Sequence, residues 1–208
     1  MSDAPEHDEP LAGLAEIEFQ SPGRFAVHNP ESELPAPQPW EPAAIVLGSD
    51  DTVQPFDHPD SARSHALSLM QQARRTLCLY TPDMELWLYH HSCIQEACTR
   101  FLLEHPRNQL RILTRETSRA IKEGHRLLNL SRRLSSNFQI RRINPNYPNE
   151  VCAFLLADTA GMLVRPEPQK PVGYVCYNAP RKVRQLQALF DQSWNTSLGD
   201  PNLRSFLL

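Results

Sequence analysis

The stretch Val151-Cys-Ala-Phe-Leu-Leu-Ala-Asp158-Thr-Ala-Gly161-Met-Leu-Val-Arg165 decides how the chain folds. Val151 to Ala157 is the longest uninterrupted apolar run in the sequence. It is strand-sized, and Asp158-Thr-Ala supplies a turn into a second strand, Gly161 to Arg165. Working back toward the N-terminus, Asn144-Pro-Asn-Tyr-Pro-Asn149 reads as a loop and Phe138 to Arg142 as a strand. Thr117 to Ser135 has the period of one long amphipathic helix, and Gln109 to Leu113 of a strand. A helix near 90–104 carries Ile94, Ala97, Cys98 and Phe101 and stops at His105-Pro106. Thr76 to Tyr80 is a strand ended by Thr81-Pro82-Asp83. Before it, Asp60 or Ser61 caps a helix over about 61–75. Ala43 to Leu47 reads as a short strand. Downstream, Gly173 to Tyr177 is a strand and Arg181 to Trp194 the closing helix. Strands alternating with helices predict a layered α/β domain with a mixed, largely parallel sheet flanked by helices.

The chain has 208 residues with 40% apolar and 22% charged side chains, ordinary values for a globular protein. No apolar run approaches the roughly 18 residues of a membrane span. The opening Met-Ser-Asp-Ala-Pro-Glu has neither a basic leader nor a hydrophobic segment, so a soluble, cytoplasmic protein is expected. Cys78, Cys93, Cys98, Cys152 and Cys176 are odd in number and mostly sit in apolar stretches, as buried thiols do in a reducing compartment. The net charge of −3 is unevenly spread: residues 1–59 hold 12 acidic groups and one basic, a net of −11, and residues 60–208 hold 20 basic and 12 acidic, a net of +8. Residues 1–40 are acidic and proline-rich without apolar periodicity. They are expected to be a disordered tail, solvated or folded back on a basic surface. Residues 41–198 form the domain, and 199–208 a C-terminal extension.

Candidate site residues fall into three groups. Counted from Arg115 at 0° along the helix through 117–135, Arg119, Lys122, Arg126 and Arg133 fall between about −20° and +40°, forming a ridge roughly 27 Å long. Arg141 and Arg142 follow on the next strand. Such a ridge suits a row of phosphates, and equally a solvated helix face balanced by Glu116 and Glu123. Asp83, Glu85 and His125 are the only groups that suggest catalysis, the first two following a strand, where α/β proteins place functional side chains or merely cap a turn. His90, His91, Cys93 and Cys98 are the one cluster suggestive of metal. They lack a second ligand pair, so no metal and no cofactor is expected. Nucleophile-elbow, phosphate-loop and dinucleotide signatures are absent.

From about residue 44 to 197 the chain resembles a phospholipase D-like domain. The resemblance is carried by the order of elements, the strand ending Tyr80-Thr-Pro-Asp83, the strand Val151 to Asp158, and Phe190-x-x-x-Trp194 on the last helix. It looks closest to a bacterial family with a degenerate phospholipase D-like fold, found with GNAT-type acetyltransferases. Phospholipase D enzymes carry His-x-Lys-x4-Asp, in which His attacks phosphorus, Lys neutralises phosphate and Asp supports the protonation cycle. With the acid at Asp158, Val151 stands at the His position and Ala153 at the Lys position. Neither side chain supplies a lone pair or a cation. Arg165-Pro166 replaces the small polar residues that follow the motif. The resemblance thus implies the fold without the phosphodiesterase chemistry, with a homodimer as the expected way of pairing two half-sites.

The expected function is non-catalytic binding of a polyanion, RNA or DNA, through the basic ridge. The alternatives are a protein-interaction module serving an acetyltransferase or another enzyme, and an enzyme of unrecognised type built on Asp83, Glu85 and His125; an acidic protein is a further expected partner beside RNA or DNA.

Overall fold

The computed structural model describes residues 40–146, 152–200 and 203. The expected tail therefore lies outside the described residues except for Trp40, as do 147–151 and most of 199–208. The elements run β1 Gln54–Phe56, α1 Pro59–Gln72, β2 Thr76–Thr81, α2 Leu86–Tyr89, α3 Ser92–Glu104, β3 Gln109–Thr114, α4 Ser118–Lys122, α5 Arg126–Arg133, β4 Phe138–Arg142, β5 Ala153–Ala157, β6 Gly161–Arg165, β7 Gly173–Cys176 and α6 Pro180–Asn195. They build one seven-stranded sheet in the order β1-β7-β6-β5-β2-β3-β4.

The sheet is mixed, as expected, but its balance is the reverse of the expected one. Only β2–β3 and β3–β4 are parallel. The pairs β1–β7, β7–β6, β6–β5 and β5–β2 are antiparallel. The reason lies in the connections. Helices α2, α3, α4 and α5 give β2, β3 and β4 the long crossovers that parallel neighbours need, whereas β5, β6 and β7 follow one another through short turns. Alternation along the strands sends side chains to two cores. Leu77, Leu79, Leu155, Ala157, Leu163 and Val175 face α1, α3 and α5. Cys78, Tyr80, Phe154, Leu156, Met162 and Val164 face α6 with Phe190 and Trp194.

Three further expectations are corrected. Ala43 to Leu47 is not a strand, because its backbone is claimed by side chains of α1: Ser68 Oγ donates to Ala43 C=O, Gln72 Nε2 to Ile45 C=O, and Leu47 N–H to Gln72 Oε1. The cap of α1 is His58, whose Nδ1 accepts from Asp60 N–H at 3.2 Å, with Pro59 at the first helical position. The helix expected over Thr117 to Ser135 is two helices. Gly124, at φ +60°, ends α4, and His125 caps α5 by accepting from Leu127 N–H at 3.1 Å. Among the described residues no helix is long and apolar enough to cross a membrane.

Candidate functional site

The C-terminal end of β2 runs into a tight turn, Thr81-Pro-Asp-Met-Glu85, ahead of α2. Met84 and Glu85 both adopt left-handed backbone, at φ 65° and 38°, which costs about 1–2 kcal/mol per non-glycine residue. The turn is held in three ways. Glu85 N–H donates to Asp83 Oδ1 at 3.0 Å. Thr81 Oγ1 donates to Glu85 Oε2 at 3.0 Å. His125 Nε2 donates to Met84 C=O at 3.1 Å. Because His125 Nδ1 accepts from Leu127 N–H, the ring is a neutral imidazole with its proton on Nε2. Burial, and then His90 beside it, pushes its pKa down to about 4.

Beyond the turn, Glu85 meets Arg165 at the end of β6. The two form an ion pair between Glu85 Oε1 and Arg165 Nη2, with side chains 2% and 1% exposed. Arg165 Nη1 donates to Pro168 and Lys170 carbonyls at 3.0 and 3.1 Å. Its guanidinium lies 5.0 Å from the centre of the Trp87 ring. Burial lowers the Arg165 pKa to about 10, against a smaller opposing pull from Asp83, so it stays charged at neutral pH. Gly173 makes room for this arrangement, since a Cβ there would sit 2.9 Å from Arg165 Cγ and 2.3 Å from Val164 O.

Arg165 is the cross-strand partner of Ala153. The position at which the resemblance expects a phosphate-binding lysine is therefore a buried methyl beside a guanidinium already neutralised by Glu85. Val151 lies outside the described residues. Asp158, at the other end of β5, sits at φ 53°. Its carboxylate accepts the backbone N–H groups of Arg74, Arg75 and Thr76 at 2.8–2.9 Å. Those bonds tie the β5–β6 turn to the start of β2. The three weak catalytic candidates are brought together, Asp83 and Glu85 in the turn and His125 against it; Asp83 and His125 hold the backbone, and the Glu85 carboxylate is taken by Thr81 and Arg165.

The one helix expected to carry the basic residues is broken at Gly124, and they divide between separate elements. Arg119 Nε pairs with Glu123 Oε1 at 2.9 Å on α4, with Lys122 exposed on the same short helix. Arg126 and Arg133 are exposed on α5, Arg126 reaching Gln95 Oε1 at 3.4 Å. Arg115 turns to the Tyr80 hydroxyl at 3.3 Å. Arg142 Nε donates to Arg115 C=O at 3.2 Å. Arg141 lies 4.4 Å over the Trp194 ring on the α6 side, where Arg111 also meets Phe190 and Trp194 and pairs with Asp191 at 3.0 Å. The His/Cys cluster disperses as well: His91 Nδ1 is 3.0 Å from Cys93 Sγ, His90 meets His125 edge-on, and Cys98 is buried against Met70. Among the described residues no group of three or more potential ligands is placed to hold a metal ion.

A family model matches residues 58–206, the greater part of the chain. The chain belongs to the family Domain of unknown function (DUF7931). No curated protein matches it. Among solved structures the DUF7931 fold is similar to Nuc from Salmonella typhimurium, a phospholipase D family member, with a TM-score of 0.51 and 14% identity over 71% of this chain and 96% of Nuc. NucT from Helicobacter pylori gives 0.50 and 10% identity over 72% of this chain and 99% of that one. TrmBL2, an archaeal chromatin protein, gives 0.50 and 8% identity over 70% of this chain and 53% of its own length. The phospholipase D-like fold expected from the sequence is the fold of this DUF7931 domain. The residue that sequence reasoning passed over is Arg165 as a partner of Glu85. The signal was available: an arginine closing the apolar strand Gly161 to Val164, and a glutamate in the turn after β2.

Proposed function

We propose that this DUF7931 chain is a phospholipase D-like domain that binds without phosphodiester chemistry. The observation that carries the reading is the buried Arg165–Glu85 pair beside Ala153. Phosphoryl transfer at such a site needs a nucleophile and an unneutralised cation facing the phosphate. Ala153 offers neither, His125 has both ring nitrogens engaged, and Arg165 is 1% exposed with its charge met by Glu85. The repurified chain is expected to leave a generic phosphodiester substrate unhydrolysed. Turnover that co-elutes with the protein and disappears on Arg165→Met would overturn the reading.

The ligand class proposed is a nucleic-acid polyanion. The net charge of +8 over residues 60–208 supports it, together with exposed Arg119, Lys122, Arg126, Arg133 and Arg142. TrmBL2, of similar fold, is described as showing a novel mode of DNA binding. On this proposal contact is made by charge over a broad surface and not by a single helical ridge. Cytoplasmic residence goes with it, in line with five free thiols. The resemblance adds two proposed partners, a second copy of the chain and an acetyltransferase. Sedimentation tests the first and co-purification from cells the second.

A further inference from the structure

Among the described residues the strand β4 is the last of the sheet on its side. Leu110 N–H donates to Asn137 C=O, and Ile143 N–H to Thr114 C=O. With the two-residue period of a strand, residues 137, 139, 141 and 143 bond β3, and the backbone of Phe138, Ile140 and Arg142 points outward. Arg142 is covered: it exchanges both bonds with Leu198, at 3.0 and 2.9 Å. Phe138 N–H is taken by Leu134 C=O at 3.1 Å. Among the described residues nothing meets the N–H or C=O of Ile140. The segment that covers Arg142 does not continue along the edge, because Thr117 Oγ1 holds the Asp200 carboxylate at 2.9 Å and Arg132 Nε holds Leu203 C=O at 3.1 Å. Between that segment and β4 lies a groove of about 710 Å3, whose lining includes Gln139, Ile140 and Leu203, the cations Arg132 and Arg141, and the single carboxylate Asp200.

We propose that this outer edge of β4 is a docking edge for an extended acidic segment of a partner protein, paired antiparallel at the one open rung, Ile140, with the rest of the segment lying in the groove. Leu198 already shows the pairing geometry at Arg142, and the rung at Ile140 continues it. Side chains of an added strand alternate between faces. On the face of Ile140 and Leu203 they meet apolar surface. On the face of Gln139 and Arg141 they meet a cation. An alternating acidic and apolar segment fits both. A second copy of β4 fits worse, since antiparallel self-pairing would bring together the arginines of two copies and Leu198 already occupies the Arg142 rung. This inference does not rest on the nucleic-acid reading.

The test uses the full chain and a fluorescein-labelled peptide of about seven residues alternating valine with aspartate. Binding is read by anisotropy, and the Ile140 amide by hydrogen exchange. The expected result is saturable binding, protection of the Ile140 amide, and a loss of about tenfold or more when the peptide's central amides are N-methylated, since each lost backbone bond removes a rung. Ile140→Pro, which removes the outward-facing N–H together with core-packed side-chain atoms, is expected to weaken binding well beyond Ile140→Ala, which trims the same side chain and keeps the N–H. Equal binding of the N-methylated peptide would reduce the contact to charge alone and overturn the proposal. So would no binding at millimolar peptide, or protection of Ile140 by duplex DNA or RNA in place of the peptide.

Discussion

At the scale of single residues, the consequential side chains are those that carry charge or protons where water is excluded. Arg165 and Glu85 were each visible in the sequence, but only the cross-strand register of β6 and the left-handed turn after β2 bring them together. Nothing in residue spacing reports a contact across 80 positions. Removing one partner leaves the other charged and unpaired, which costs about 3–5 kcal/mol, whereas replacing both is far cheaper. Arg165→Met is therefore expected to lower denaturant stability by about that amount, and Arg165→Met with Glu85→Leu to recover most of it. Additive losses in the double variant would show that the pair is not coupled. His125 sets a pH dependence whose sign follows from its pKa of about 4 in the fold, below the ordinary value of 6.5. The unfolded chain takes up a proton that the native state refuses, so this contribution is complete above pH 6.5 and is lost as pH falls from there toward 4. Burial lowers His65 and His91 in the same direction. The unfolding midpoint is expected to drop between pH 7 and 5, and His125→Gln to flatten that drop. A midpoint unchanged over this interval would contradict the buried neutral imidazole.

At the scale of elements, β2, β3, β4, β6, α3 and α6 were legible because each has its own period and stop signals, such as His105-Pro106 after α3. The polarity of the sheet was not, since the same strands with short turns between them pair antiparallel whatever their composition. The broken helix shows how a charge pattern misleads. Basic residues recur at helical spacing straight through Glu123-Gly124-His125, but Gly124 stops α4 and His125 begins α5. A glycine followed by a capping residue was the overlooked signal. The two versions predict opposite signs for one substitution. Inside a continuous helix Gly124→Ala would stabilise by about 0.5–1 kcal/mol. At φ +60°, with no clash but a left-handed backbone, it is expected to destabilise by about 1 kcal/mol. Denaturant unfolding reads the sign directly.

At the scale of the whole molecule, the described residues build a seven-stranded sheet of phospholipase D-like fold with a buried Glu85–Arg165 ion pair, while cations are spread over its surface. The fold class was readable from the alternation of elements. The Glu85–Arg165 pair was not, because only the three-dimensional arrangement brings these two side chains together beside Ala153. If the molecule works through its charge, affinity for nucleic acid must fall linearly with the logarithm of salt concentration, by about 0.9 per phosphate neutralised. Arg126 and Arg133, seven residues apart, share one exposed face of α5. The most direct measurement is an anisotropy titration of labelled duplex DNA and RNA with the full chain at about 50 and about 200 mM salt, repeated with Arg126→Glu and Arg133→Glu combined. The account predicts salt-dependent binding of intact nucleic acid, with a slope that flattens by about two in the double variant. Absence of binding at the lower salt, or binding with an unchanged slope in the double variant, would contradict it.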